Sequence, residues 1–250
     1  LQGQQLIAGF DTGPGNTPLD HWIQRQQHVA YDRDGQWAAS GKVVPELLEK
    51  LLTHPYLQLR GPRSTGKEAF NLPWLYDLLS GLAPLPPEDV QATLSQFTAQ
   101  TIADAIADSG LALSEAYVCG GGAHNIDLVH RLDAAMPDCK VSNTGELGID
   151  PDWVEAATFA WLAARTLASL PGMEKCKSND TLQAPVPRAS KVQLPANEKI
   201  QHAQRHDIAF LLLNQVVDVI AGALFAEFAE MGEIFADLGG AGAENPGELL

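Results

Sequence analysis

Apolar residues recur at helical spacing along the first two thirds of the chain. Side chains that return every three to four residues place one face of a helix against a core. We predict helices at about residues 19–27, 44–53, 74–82, 90–109, 125–132 and 153–169. Short apolar runs at residues 6–8, 116–119 and 140–142 predict strands between them. This alternation predicts an α/β fold.

The 250 residues include 31 Asp and Glu against 16 Lys and Arg, a formal net charge of −15. An acidic surface disfavours nucleic acid and anionic lipid as partners. The three cysteines form no CxxC pair and suit a reducing cytoplasm. The first residues show no signal peptide and no initiator Met, so we expect a cytoplasmic protein and a trimmed or partial chain.

Asp11 follows the first predicted strand on a glycine-rich turn, residues 10–16. A carboxylate on a turn without bulky side chains faces a space where backbone N–H groups can approach an anion. Asp11 could alternatively cap the helix that begins near Pro18.

A second glycine cluster, Gly120, Gly121 and Gly122, separates a predicted strand from a predicted helix. A helix N-terminus offers free N–H donors, so this geometry suits a phosphate or a nucleoside. The alternative is a tight turn in which Asn125 is the N-cap. The cluster matches neither the phosphate loop GxxxxGK[ST] nor the dinucleotide-binding pattern GxGxxG, so the sequence supports neither of those folds. Histidine and cysteine spacing predicts no protein metal site.

Five segments in this order, residues 10–22, 31–42, 64–71, 118–125 and 146–156, resemble the anhydro-N-acetylmuramic acid kinase family. The resemblance covers about residues 1–172. It implies a sugar kinase fold shared with the actin-like ATPases, here mainly the C-terminal lobe. The reaction it implies opens the 1,6-anhydro ring of anhydro-N-acetylmuramic acid with water and phosphorylates O6, during peptidoglycan recycling.

The resemblance also implies roles for individual residues. Asp11 corresponds to the catalytic base, and Thr12 and Glu155 to sugar-binding positions. The implied nucleotide-binding residues are Gly13, Gly15, Gly120, Gly121, Gly122 and Asn125. ATP and Mg²⁺ are the implied cofactors, and a homodimer is expected. Glu155 could instead be purely structural, since a carboxylate in the first turn of a helix favours the helix dipole.

Two departures from the family shape the remaining expectations. The phosphate loop of the family should lie well upstream of Asp11, which only ten residues precede. After residue 172 we expect a linker-like stretch at 173–200 and an atypical tail at 201–250, with an apolar helix near 208–229. That helix would pack on the kinase region or a second subunit; a membrane span and a tail without selected structure are the alternatives.

Two other functions are open on the sequence alone. One is a different sugar kinase of the same fold. The other is a truncated, non-catalytic module for nucleotide binding or subunit interaction.

Overall fold

The computed structural model describes residues 9–60, 63–167, 208–213 and 217–219. The strand predicted at residues 6–8 and the linker-like stretch at 173–200 lie outside the described residues. The helices are α1 (Thr17–Gln27), α2 (Gln36–Ser40), α3 (Pro45–Leu52), α4 (Leu72–Ser80), α5 (Pro87–Asp108), α6 (Ile126–Ala135) and α7 (Val154–Leu167). The strands are β1 (Glu115–Cys119), β2 (Lys140–Asn143), β3 (Ile208–Leu213) and β4 (Val217–Val219).

Helix α5 is the longest described helix and contacts α1, α2, α3 and α6. Its first turn carries Glu88 and Asp89, which favour the positive end of the helix dipole. Apolar residues of α5 are buried in two clusters. Leu94 and Phe97 pack with residues of α1, α3 and α4, and Ile102 packs with residues of β1 and α6. One helix is therefore shared by both parts of the core.

The described strands form one sheet in the order β2-β1-β3-β4. Strands β1 and β2 are parallel and are joined through α6, and β1 also pairs parallel with β3. Strand β4 is antiparallel to β3. Helices that alternate with parallel strands confirm the α/β class, whereas the actin-like lobe remains a prediction. No helix in the described part of the chain is long and apolar enough to cross a bilayer.

The helix predicted near 208–229 is wrong at residues 208–213 and 217–219, which are strands. The rest of that prediction lies outside the described residues. A continuous apolar run is typical of a strand buried inside a parallel sheet as well as of a buried helix. The pattern alone does not separate these structures, and pairing with β1 decides between them here.

Candidate active site

Asp11 is buried, with 5% of its surface exposed. Its Oδ2 accepts hydrogen bonds from Ser64 Oγ at 2.9 Å and from the Thr65 backbone N–H at 2.7 Å. The Asp11 backbone N–H donates to the Arg63 carbonyl at 3.0 Å. A carboxylate held in this way keeps one orientation, as a catalytic group requires.

Arg63 holds the same turn from its other side. Its Nε donates to the Asp11 carbonyl at 3.2 Å, and its Nη2 donates to the Thr12 carbonyl at 3.4 Å. The guanidinium lies 5.6 Å from the Phe10 ring centroid and 5.2 Å from that of Tyr56. The Tyr56 hydroxyl also donates to the Asp11 carbonyl, at 2.8 Å. The positions of Asp11 and Thr12 therefore depend on residues about fifty positions further along the chain.

Gly13 and Gly15 lie against α5. A Cβ on Gly13 would lie 2.7 Å from Thr101 Oγ1. Gly15 has a φ of +57° and accepts a hydrogen bond from Thr98 Oγ1 at 2.8 Å. Close packing on α5 explains the glycine at position 13, and the positive φ explains the glycine at position 15. The nucleotide-binding role of both residues remains a prediction.

The glycine cluster after β1 forms a 3₁₀ turn, Gly121–His124. Gly120 has φ +73° and ψ −175°, a conformation that is essentially restricted to glycine. Asn125 is the N-cap of α6, and its side chain accepts a hydrogen bond from the Leu128 N–H at 3.0 Å. Asn125 therefore caps α6 and fixes the turn at the start of this helix, and the nucleotide-binding role of the turn remains a prediction.

The segment 31–35 packs on this cap. A Cβ on Gly35 would lie 2.1 Å from Asn125 Oδ1 and 2.7 Å from Asp127 Cβ. Gly35 also has a φ of +69°, which favours glycine. Because the backbone at Gly35 lies so close to the Asn125 cap, segment 31–35 lies beside the glycine turn.

Glu155 lies in the first turn of α7 and is exposed. Burial and the nearby Glu155 charge raise the pKa of the Cys119 thiol to about 12, so the carboxylate lies near the end of β1. The Gly120 N–H donates to the Pro151 carbonyl at 2.9 Å, and His124 Nε2 lies 2.7 Å from Asp152 Oδ1. These contacts join the glycine turn to the start of α7.

Asp20 and Asp32 form a pair of acidic side chains near the start of α1. Burial, together with the negative charge of Asp32, raises the pKa of Asp20 to about 7. Asp32 is itself buried and accepts hydrogen bonds from the Trp37 and Ala38 N–H groups at 2.9 and 2.8 Å. Asp32 thus fixes the start of α2, and its negative charge disfavours the ionised form of Asp20.

The structure divides the predicted residues into two sets of contacts. Asp11 and Thr12 contact segment 63–65. Asn125 and Glu155 lie at the glycine turn instead. Helix α5 packs against both parts. Arg63 carries no signal in the local sequence, and the only signal for Ser64 and Thr65 is their place in a family segment. Within the described residues, no group of three or more His, Cys, Asp or Glu could hold a metal ion.

Residues 1–181 match the anhydro-N-acetylmuramic acid kinase family. A protein of that name from Pseudomonas syringae pv. tomato is 52% identical over 171 residues, which are 68% of this chain and 47% of the relative. Another from Thiobacillus denitrificans is 54% identical over 162 residues, 64% of this chain and 44% of the relative. The chain spans about half the length of the curated relatives it matches. It belongs to the anhydro-N-acetylmuramic acid kinase family.

Proposed function

We propose that this chain carries the catalytic base, part of the sugar site and the nucleotide turn of a kinase that acts on 1,6-anhydro-N-acetylmuramic acid. Water adds to the anomeric carbon, the bond from that carbon to O6 breaks, and O6 accepts a phosphoryl group. The product is N-acetylmuramic acid 6-phosphate, an intermediate of peptidoglycan recycling. Membership of the family supports this reaction.

The buried Asp11 carboxylate is the observation that carries the proposal. Both hydrogen bonds that the described residues make to this carboxylate end on Oδ2. We assign the other oxygen, Oδ1, to the attacking water. As the water adds to the anomeric carbon, its proton passes to Asp11, so a carboxylate within hydrogen-bond reach acts as general base.

Thr12 and Glu155 are the residues we assign to the sugar. The Thr12 hydroxyl is fully buried and has no hydrogen-bond partner within the described residues. A buried hydroxyl without a partner costs free energy, so a polar group that a substrate brings to it would improve binding. Glu155 is exposed beside the glycine turn, where its carboxylate could accept hydrogen bonds from sugar hydroxyls.

The turn after β1 suits a nucleotide. Gly120, Gly121 and Gly122 carry no side chains, so a ligand can approach their backbone closely. Asn125 holds this turn at the start of α6. Bound ATP would supply the phosphoryl group, and Mg²⁺ would arrive with the nucleotide. We assign Gly13 and Gly15 to positioning the Asp11 turn next to that nucleotide.

The proposed setting is the cytoplasm. Cys119 and Cys139 are both buried free thiols, which suits a reducing compartment. A homodimer remains a prediction from the family.

The test measures sugar 6-phosphate by mass spectrometry, from purified chain, Mg²⁺-ATP and 1,6-anhydro-N-acetylmuramic acid. We expect Asp11→Asn to lower turnover by about 100-fold or more, since the proton acceptor is lost. Sugar affinity should stay close to that of the unmodified chain, because the side chain keeps its size.

The matched control is Asp133→Asn, which makes the same change at an exposed carboxylate on α6. It should leave turnover unchanged. Equal turnover by Asp11→Asn and the unmodified chain would remove Asp11 from the mechanism. Nucleotide binding without any product would instead indicate the non-catalytic module.

A further inference from the structure

The half-buried Arg63 directs its guanidinium at backbone oxygen atoms. It donates to the carbonyl groups of Asp11, Thr12 and Leu59. No ion pair between described residues includes Arg63, whereas Arg60, three positions earlier, pairs with Asp108. A guanidinium presents its five N–H donors in a rigid fork, so three carbonyl groups bound to one fork fix each other's positions.

The fork acts on the main chain of the residue whose side chain carries the chemistry. Ser64 and Thr65 hold Oδ2 of Asp11, and Arg63 holds the carbonyl of the same residue. The direction of Oδ1 therefore depends on both sets of contacts. A misplacement of about 1 Å at a reacting group can lower a rate by about 100-fold.

We propose that Arg63 is a positioning residue, whose guanidinium holds the main chain at Asp11 and Thr12 so that the Asp11 carboxylate meets the attacking water. The inference rests on the proposed function, in which Asp11 is the general base. It requires the charge and the fork of a guanidinium at this position, and a side chain that only fills the space does not replace it.

A pocket beside Arg63 allows the guanidinium to be tested separately from the side chain. The pocket has a volume of about 300 Å³, and its lining includes Arg60, Arg63, Thr101 and Asp108. The side chains of Arg60 and Asp108 are exposed, so solvent reaches the pocket. Arg63→Ala would extend this space towards the carbonyl groups of Asp11 and Thr12, and a free guanidinium ion could then occupy it.

The first test measures kcat and KM for sugar phosphorylation by Arg63→Ala, with and without millimolar guanidinium chloride. We expect kcat to fall by about 10- to 100-fold. Most of the loss should fall on kcat, because the base acts after the sugar is bound. Guanidinium should raise kcat of this variant by about tenfold or more. Urea should not, since it has a similar planar shape but no charge.

Arg60→Ala is the matched control, because Arg60 lines the same pocket but pairs with Asp108 instead of the Asp11 turn. Its kcat should stay within about twofold of the unmodified chain, since an exposed ion pair contributes little. Guanidinium should not change it. Equal losses in the two variants, or a kcat of Arg63→Ala that guanidinium does not raise, would overturn the proposal.

Hydrogen exchange separates this inference from the proposed function, because it needs no turnover. The Asp11 N–H donates to the Arg63 carbonyl, and the Thr65 N–H donates to Asp11 Oδ2. In Arg63→Ala both amides should exchange about tenfold faster or more, and guanidinium should slow them again, while the amides of α6 stay unchanged.

Unchanged exchange at Asp11 and Thr65 would overturn the positioning role, even where Asp11→Asn abolishes turnover. Exchange that depends on guanidinium, together with equal turnover by Asp11→Asn and the unmodified chain, would overturn the proposed function and support Arg63 as the residue that holds this turn.

Discussion

At the residue scale, one carboxylate oxygen of Asp11 receives two hydrogen bonds from a segment more than fifty residues away. Ser64 supplies a hydroxyl and Thr65 supplies its backbone N–H. Such bonds keep the side chain in place without covering its second oxygen. A buried acid is costly unless it is hydrogen-bonded, and this arrangement meets that need while leaving an acceptor for chemistry.

Asp20 gives a pH prediction. Its pKa rises from 3.8 to about 7 in the folded chain, through burial and the charge of Asp32. The folded state therefore holds its proton more tightly than the unfolded state, and stability falls as pH rises from about 4 through 7. Asp20→Asn removes this loss, so between pH 5 and pH 8 the variant should gain on the order of 1–2 kcal/mol relative to the unmodified chain.

Urea unfolding of both proteins at pH 5 and pH 8 checks this prediction. Asp77→Asn makes the same charge change at an exposed position of α4 and should show no such gain. A constant difference between Asp20→Asn and the unmodified chain across this pH range would contradict the shared-charge explanation.

Gly13 gives a packing prediction. Alanine at this position would place Cβ 2.7 Å from Thr101 Oγ1 and 3.0 Å from Thr101 Cβ. We expect Gly13→Ala to lower the free energy of unfolding by about 1–3 kcal/mol. Gly81→Ala is the control, because the atom nearest to its Cβ would be Lys50 Nζ at 3.4 Å. Denaturant titration should show a clear loss for the first variant and little change for the second.

Asp11 is predictable from the sequence because its neighbours are distinctive, and the structure shows which residues hold it. Arg63, Ser64 and Thr65 contact Asp11 across more than fifty positions. Local spacing carries no information about such contacts. The reason for Gly13 was equally hidden, since it depends on a side chain of α5.

At the element scale, segment 31–35 and the start of α6 act as one unit. Gly35→Ala would place Cβ 2.1 Å from Asn125 Oδ1, at a φ of +69°. The variant should lose about 1–2 kcal/mol of unfolding free energy through backbone strain and about 1–3 kcal/mol through the steric clash. Thermal unfolding measures the sum, and exchange of the α6 amides shows whether the cap is displaced.

Gly110→Ala is a matched control for this prediction. Gly110 has nearly the same φ, +68°, but a Cβ there would meet nothing within 4 Å. It should show the backbone cost alone. Equal losses for the two variants would mean that contact with Asn125 has no energetic weight.

Most helices were predictable because their apolar spacing is local. The predicted segments 19–27, 44–53, 74–82 and 90–109 correspond to α1, α3, α4 and α5 within a few residues. Helix α2 was missed, as five residues are too few to show a period. The tail strands were missed because the structure of that apolar run depends on β1, about ninety residues earlier.

At the scale of the whole molecule, α5 joins two hydrophobic clusters. Ile102 belongs to the cluster around β1 and α6, while Trp22 belongs to the other cluster, with Trp37 and Trp74 packed against it. Ile102→Ala should lower the free energy of unfolding by about 2–5 kcal/mol. Because α5 is continuous, the loss should appear equally in tryptophan fluorescence and in far-UV circular dichroism.

Ile126→Ala is the control, since Ile126 is 53% exposed, and its loss should stay below about 1 kcal/mol. A fluorescence transition that does not move in Ile102→Ala, while circular dichroism does, would show that the two clusters unfold separately.

The two hydrogen bonds to Asp11 Oδ2 differ in how they would survive evolutionary drift. The bond from position 65 uses the main chain, so any residue except proline can supply it. The bond from position 64 needs a hydroxyl and disappears with a single codon change to alanine. The hydrogen bond from position 64 therefore depends on the side chain, whereas the hydrogen bond from position 65 is kept by every residue except proline.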